Sequence, residues 1–229
     1  QTNSDAGFSI VKFTGTGAQG TIGHGLSSAP ELIISKRLDA TNNWNVYHKD
    51  LGLSHTSYPN WLYLNLNSSE QNSGSNANHA YYQVPSSTLL YQHTGTSESS
   101  NVNNGTYISY CFHSVDGFSK FGSYTGNGST DGPIVETGFE PAFLMLKRTD
   151  NAGSWAIIDN KRTPTNPRNL ELFANLNDAD NTFTAVDFLS NGFQIINTSN
   201  TYNANGDTFI YMAFAADPDT EAPTVASSF

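Results

Sequence analysis

The sequence predicts an all-β chain built as two tandem, internally repeated β-sandwich-like halves packed together, the first over residues 1–116 and the second over residues 117–229. Three observations lead there. The apolar residues come in runs of about four to eight, the length of strands rather than helices. No apolar stripe at three- and four-residue spacing is sustained anywhere, as an amphipathic helix would need. And the first half of the chain recurs in the second.

The runs are rich in Ile, Val, Phe, Tyr and Thr, the residues that suit a pleated, half-buried surface. They lie at residues 8–13, 32–35, 107–112, 143–146, 183–188 and 209–214, with a weaker strand at 170–174. Gly, Asn, Asp and Pro punctuate them, the pattern of a sandwich or barrel with short strands. Asn104-Gly105, Asn127-Gly128, Asn191-Gly192 and Asn205-Gly206 are expected as tight hairpin turns, because both residue types accept positive φ.

The repeat is legible from end to end. Gly7-Phe8-Ser9 returns as Gly117-Phe118-Ser119, and the stretch from Phe13 to Gly17 as the stretch from Tyr124 to Gly128. Pro30 with Lys36-Arg37 returns as Pro141 with Lys147-Arg148, Trp44 as Trp155, and Asn65-Leu66-Asn67 as Asn175-Leu176-Asn177. The run from Thr106 to Phe112 returns as the run from Thr208 to Phe214. The boundary falls near Asp116, and residues 113–116 are too short for a tether, so the halves are expected to touch.

Composition narrows the function classes. Charged residues make up only 13% of the chain, well below a typical globular protein at about 25%. Polarity rests instead on Ser, Thr, Gly and 26 Asn. A net charge of −10 repels a phosphate backbone, so no nucleic-acid partner is expected. No apolar stretch is long enough for a membrane-spanning helix. Cys111 stands alone inside an apolar run and reads as a buried hydrophobe, so no disulfide is expected, which suits a bacterial or phage origin. The opening residues lack a basic region followed by an apolar one, and read as the middle of a longer chain rather than a signal peptide. Four Asn-x-Ser/Thr sequons, at Asn67, Asn104, Asn127 and Asn197, follow from composition.

Gly7-Phe8-Ser9-Ile10-Val11, Thr14-Gly15-Thr16-Gly17, Gly23-His24-Gly25-Leu26 and Ala29-Pro30-Glu31-Leu32-Ile33-Ile34 together resemble the opening of a domain of unknown function. That domain recurs in tail-fibre and other virion structural proteins of marine phages, including those of cyanobacteria. The stretch from Gly117 to Gly128, Lys147-Arg148-Thr149-Asp150, the stretch from Asp187 to Phe193, and Tyr211-Met212-Ala213-Phe214-Ala215 are similar to later signatures of the same domain. The likeness lapses over residues 71–100. It implies a β-rich module on the virion surface, outside the cell, with neighbouring virion subunits or other copies of itself as partners. It brings neither a known ligand nor catalytic residues.

Motifs that could carry chemistry were weighed one at a time. Gly15-x-Gly17-x-x-Gly20 has the spacing of a dinucleotide fingerprint, with Asp39 downstream. The segment that follows, Thr21-Ile22-Gly23-His24-Gly25, cannot open the helix that would hold a pyrophosphate, so a glycine-rich β-turn is expected and no cofactor. The histidines His24, His48, His55, His79, His93 and His113 all lie in the first half, none at zinc-site spacing. They are expected on the surface or in loops, with no metal site. Asp178-x-Asp180-Asn181 reads as a solvated hairpin tip rather than a calcium loop. Asp116, Asp131, Glu136 and Glu140 sit at turns and strand ends, and nothing selects a hydrolytic pair among them.

Among the aromatics, Trp44 and Trp155 occupy equivalent places and are expected in the core. Trp61, Tyr63, Tyr81 and Tyr82, with Tyr58, lack counterparts in the second half and flank an Asn/Ser/Gly-rich segment at 68–78, expected as a long surface loop. If the module binds a glycan, Trp61, Tyr63, Tyr81 and Tyr82, with the loop at 71–79, are the expected contacts, rings stacking on sugar faces and Asn side chains bonding hydroxyls. The functional expectation is a non-enzymatic structural or adhesive module of a virion appendage, a tail fibre or capsid-surface protein, with the host surface as a candidate contact. A carbohydrate-binding, lectin-like domain is the alternative, and a glycan depolymerase the weaker one.

Overall fold

The computed structural model describes residues 1–54, 58–72, 80–94 and 101–216. The fold is all-β, as expected. Up to residue 116 the strands are β1 (Thr2–Asn3), β2 (Phe8–Thr14), β3 (Gly20–Gly23), β4 (Leu32–Arg37), β5 (Asn45–His48), β6 (Leu53–Ser54), β7 (Tyr58–Pro59), β8 (Leu62–Tyr63), β9 (Leu89–Gln92) and β10 (Thr106–Phe112). Beyond it come β11 (Ser119–Thr125), β12 (Ile134–Glu136), β13 (Pro141–Arg148), β14 (Ala156–Asp159), β15 (Arg168–Phe173), β16 (Asn181–Leu189), β17 (Gly192–Ile195), a single helical turn α1 (Asn200–Asn203) and β18 (Thr208–Ala215).

A six-stranded antiparallel sheet runs β1-β2-β10-β4-β5-β8. An eight-stranded sheet runs β11-β18-β13-β14-β15-β16-β17-β12. In both, the long opening strand pairs with the closing strand of its segment, which pairs with the strand after the proline. A further pair, β3-β9, stands apart in the first segment, whereas its second-segment analogue β12-β17 ends the eight-stranded sheet. Consecutive strands β11 and β12 thus lie at opposite ends of that sheet, which curls round almost to closure.

Side-chain alternation assigns each strand two faces. In β13 and β18, Leu144, Leu146, Phe209, Tyr211 and Ala213 face the interior of the curled sheet, where they meet Tyr124, Val135, Ala156, Ile158, Phe188, Phe193 and Ile195. Their neighbours Met145 and Ile210 face the other way. With Phe121 and Trp155 they pack on Leu32, Val46, Leu51 and Leu62 of the six-stranded sheet. The opposite face of that sheet turns Ile33, Tyr47 and Cys111 onto Leu26, Ala80, Tyr81 and Leu90. The two sheets therefore share a buried core layer, flanked by one core on each side.

Several expectations change. The turn joining β16 to β17 is centred on Ser190-Asn191, since Leu189 pairs with Gly192. Gly192 is a glycine for another reason: a Cβ there would lie 2.0 Å from the Val135 carbonyl oxygen. Trp155 is buried, but Trp44 is only half-buried, under the Lys36 ammonium 6.0 Å from its ring centroid. His24, His93 and His113 do lie in loops, but they are buried there, and His48 is buried within β5; Leu26 N–H donates to His24 Nδ1 and Asp50 N–H to His48 Nδ1. His55 and His79 lie outside the described residues, as does the loop at 73–79.

Candidate functional site

The glycine motif is where local sequence most tightly dictates geometry. After β2 the chain turns at Gly15-Thr16-Gly17. The N–H of Gly15 donates to the Gly105 carbonyl, that of Thr16 to Asn101 Oδ1 at 2.9 Å, and that of Gly17 to the Asn101 carbonyl. A Cβ on Gly15 would sit 2.2 Å from the Val102 carbonyl oxygen, so only glycine permits this approach. The amides that a phosphate would need are already bonded within the fold, and strand β3, not a helix, follows. The glycine-rich turn expected from the sequence is what forms. The second segment repeats it: Gly126 on the Asp207 carbonyl, Asn127 on Asn203 Oδ1, Gly128 on the Asn203 carbonyl.

Beside the first of these turns lies a cavity of about 120 Å³, lined by Phe13, Thr14, Thr16, Gly20, Thr21, Ile22, Gln92 and Asn101. Strand β2 supplies one wall and the β3-β9 pair the other, with Gly20 opposite Gln92. Among the described residues no charged side chain lines it. Asn101 is buried and fully engaged: its Nδ2 donates to the carbonyls of Ala18 and His93. Gln92 is different. It is 2% exposed, and its side-chain Nε2 is buried without an acceptor. A buried amide N–H left unpaired costs about 1–3 kcal/mol, so this group calls for an explanation.

The aromatic residues singled out in the sequence are placed elsewhere and do not form one platform. Trp61 is 4% exposed and Tyr81 1% exposed, so neither ring has a face left for a sugar. Trp61 packs edge-on to Tyr63, and its backbone bridges Gln71. Tyr81 packs edge-on to Tyr47 and shares a buried hydroxyl chain with Ser35 and Ser109, and burial pushes its phenol well above the usual range. Tyr63 and Tyr82 are half-buried; Tyr82 meets Tyr91 edge to ring. What the sequence reading missed is Gln92. Its signal was available in principle: a Gln closing the strand Leu89–Gln92 at a position whose alternation marks it as inward-facing.

Asp116, Asp131, Glu136 and Glu140 are exposed, and Glu140 lies 3.5 Å from Arg168. The buried Glu171 has both oxygens engaged, by the Tyr202 hydroxyl and by Asn181 Nδ2 at 2.9 Å. Among the described residues no three His, Cys, Asp or Glu side chains come together as metal ligands, and no helix is long and apolar enough to cross a membrane.

No curated protein and no solved structure matches the chain. A family model does, over residues 1–218, and it describes a domain of unknown function (DUF7483). The chain therefore belongs to that family of domains.

Proposed function

We propose that this chain is a non-enzymatic structural and adhesive module of a virion appendage, a tail fibre or capsid-surface protein displayed outside the cell. The observation that carries the reading is the core layer between the sheets, where Leu32, Val46 and Leu62 meet Phe121, Met145, Trp155 and Ile210. It joins two sheets of like strand order, which we read as two copies of one unit, into a single stiff block. A stiff β-block whose surface is rich in Asn and Ser, sparse in charge and net acidic suits assembly against neighbouring subunits and contact with a host envelope. The resemblance of its motifs to those of phage fibre and virion proteins points the same way. No reaction and no cofactor enter this reading; the partners are further copies of the chain, other virion subunits, and host surface glycan.

The test is binding of the purified chain, displayed multivalently because single contacts of this kind are weak, to bacterial cells and to isolated virion subunits. Saturable binding to either supports the module. A folded multivalent sample that holds to neither sinks it.

A further inference from the structure

We infer that the cavity between β2 and the β3-β9 pair is a binding site for one neutral sugar unit, with the Gln92 side-chain amide as its hydrogen-bond anchor. The inference rests on the adhesive reading and gives it a place and a ligand class.

The first support is the unpaired Gln92 Nε2, on a side chain that lines the cavity and is 2% exposed. A donor in that position is satisfied by a ligand that brings an acceptor. The second is a comparison within the molecule. Leu90 in β9 and Phe193 in β17 are both fully buried, opposite Ile22 and Val135 in equivalent pairs. Two residues further along, β17 has Ile195, sealed in the core of the curled sheet, where β9 has Gln92. Where one sheet closes its interior with an apolar side chain, the other keeps an open cavity and a polar one. Packing alone gives no reason for that exchange, since a buried polar group without a partner is destabilising.

The lining selects the ligand. Among the described residues that line it, none carries a charge for an anion or a cation. Gln92 brings an amide and Thr16 a hydroxyl oxygen, which match the hydroxyls of a sugar; Phe13 and Ile22 bring apolar surface for its C–H face. About 120 Å³ is smaller than the cavity of roughly 150 Å³ that admits a benzene ring, so only one edge of a sugar ring, with one or two of its hydroxyls, enters, and the rest of the unit stays outside.

The test is a titration of the isotope-labelled chain with D-glucose, D-galactose, D-mannose and L-fucose, with D-glucuronic acid for comparison, followed by NMR. Saturable shifts of the Gln92 side-chain amide and of the Thr16, Gly20 and Thr21 backbone amides are expected with at least one neutral sugar. Affinity should fall at least about tenfold in Gln92→Ile, which installs the residue of the equivalent position, and in Gly20→Leu, whose side chain would stand beside Gln92 in the cavity and whose Cβ meets nothing nearer than 3.8 Å. No saturable shift up to roughly 100 mM of any neutral sugar overturns the assignment, as do shifts that persist unchanged in both variants. Cell binding by the multivalent chain separates the two readings. Binding undiminished in Gln92→Ile and Gly20→Leu keeps the adhesive module and removes the sugar from this cavity. Sugar shifts without cell binding keep the site and remove the adhesive role.

Discussion

Asn203 accepts the backbone N–H of Asn127 through Oδ1 at 2.7 Å, a bond that spans 76 positions of the chain. Its Nδ2 donates to Asn127 Oδ1, to the Ser129 carbonyl and to the Asn197 carbonyl, and the residue is 0% exposed. One side chain thus fixes the glycine turn after β11 to the segment that leads into β18. Replacing it with Leu removes every one of these bonds and strands buried partners. Asn203→Leu is expected to cost about 2–4 kcal/mol, read as a lower urea midpoint at unchanged slope. Asn101→Leu, which breaks the like set of bonds in the first segment, should cost a similar amount.

Lys147 offers the opposite expectation. It is 0% exposed on the β13 face that turns toward the six-stranded sheet, and its Nζ donates to the Arg148 carbonyl. Burial, with the neighbouring Arg148 charge, lowers its ammonium from the usual value near 10.5 to about 8. At pH 7 the group is charged in both folded and unfolded chains, so the fold bears the whole penalty. The penalty is relieved only as pH rises through 8 toward 10.5. Lys147→Met is therefore expected to stabilise the protein at pH 7, by up to about 3 kcal/mol, with the gain shrinking above pH 8. Thermal unfolding of both proteins at pH 7 and pH 9.5 checks it; a gain that is absent at pH 7, or constant with pH, refutes it.

These two positions show what the sequence could and could not disclose. The strands were legible because β-branched and aromatic runs alternate between two buried faces, and the β2, β4, β10, β13, β16 and β18 runs were all found. The Trp44 N–H donates to Asn65 Oδ1, and the Trp155 N–H likewise to Asn175 Oδ1, which explains the first Asn of the repeated Asn-Leu-Asn triplet. What stayed hidden depends on which face looks where. Lys36 and Lys147 read alike in sequence, yet Lys36 is half-exposed beside Trp44 whereas Lys147 is sealed. Trp61 and Tyr81 are the contacts expected if the module binds a glycan, because they flank a polar segment and have no counterparts, but each side chain turns inward. Gln92 drew no notice because one glutamine at a strand end is unremarkable until its neighbours show a cavity.

His48 makes the fold sensitive to acid. Burial takes its imidazolium down to about 4, against the pull of the Asp50 carboxylate and with the help of the Lys49 charge. The ring lies in β5, next along its face from Val46, close to the Tyr211 backbone of the other sheet. Above about pH 7 it is neutral in both states and costs nothing. As pH falls below 6.5 the unfolded chain takes up the proton and the folded one does not, so stability is lost progressively down to about pH 4. The loss is on the order of 3 kcal/mol. His48→Leu should remove that share of the acid sensitivity, which stability curves of both proteins between pH 7 and pH 4 would show. Parallel curves would refute the role.

Trp155 tests whether the two sheets fold as one. Its indole N–H donates to the Tyr63 carbonyl at 2.9 Å, from the eight-stranded sheet to the six-stranded one, and its ring is 2% exposed within the shared core layer. Trp155→Phe keeps most of the ring contact but leaves that bond unmade, an expected cost of about 1–2 kcal/mol. Trp155→Ala opens a cavity between the sheets and should cost about 3–5 kcal/mol. Because Leu32, Val46 and Leu62 pack on the same layer as Met145 and Ile210, the loss should be felt across the whole chain. Calorimetry of the wild type and of Trp155→Phe should show one cooperative transition that moves down as a unit. Two separate transitions, with only the later strands destabilised, would mean that the sheets merely touch and that each segment carries its own stability.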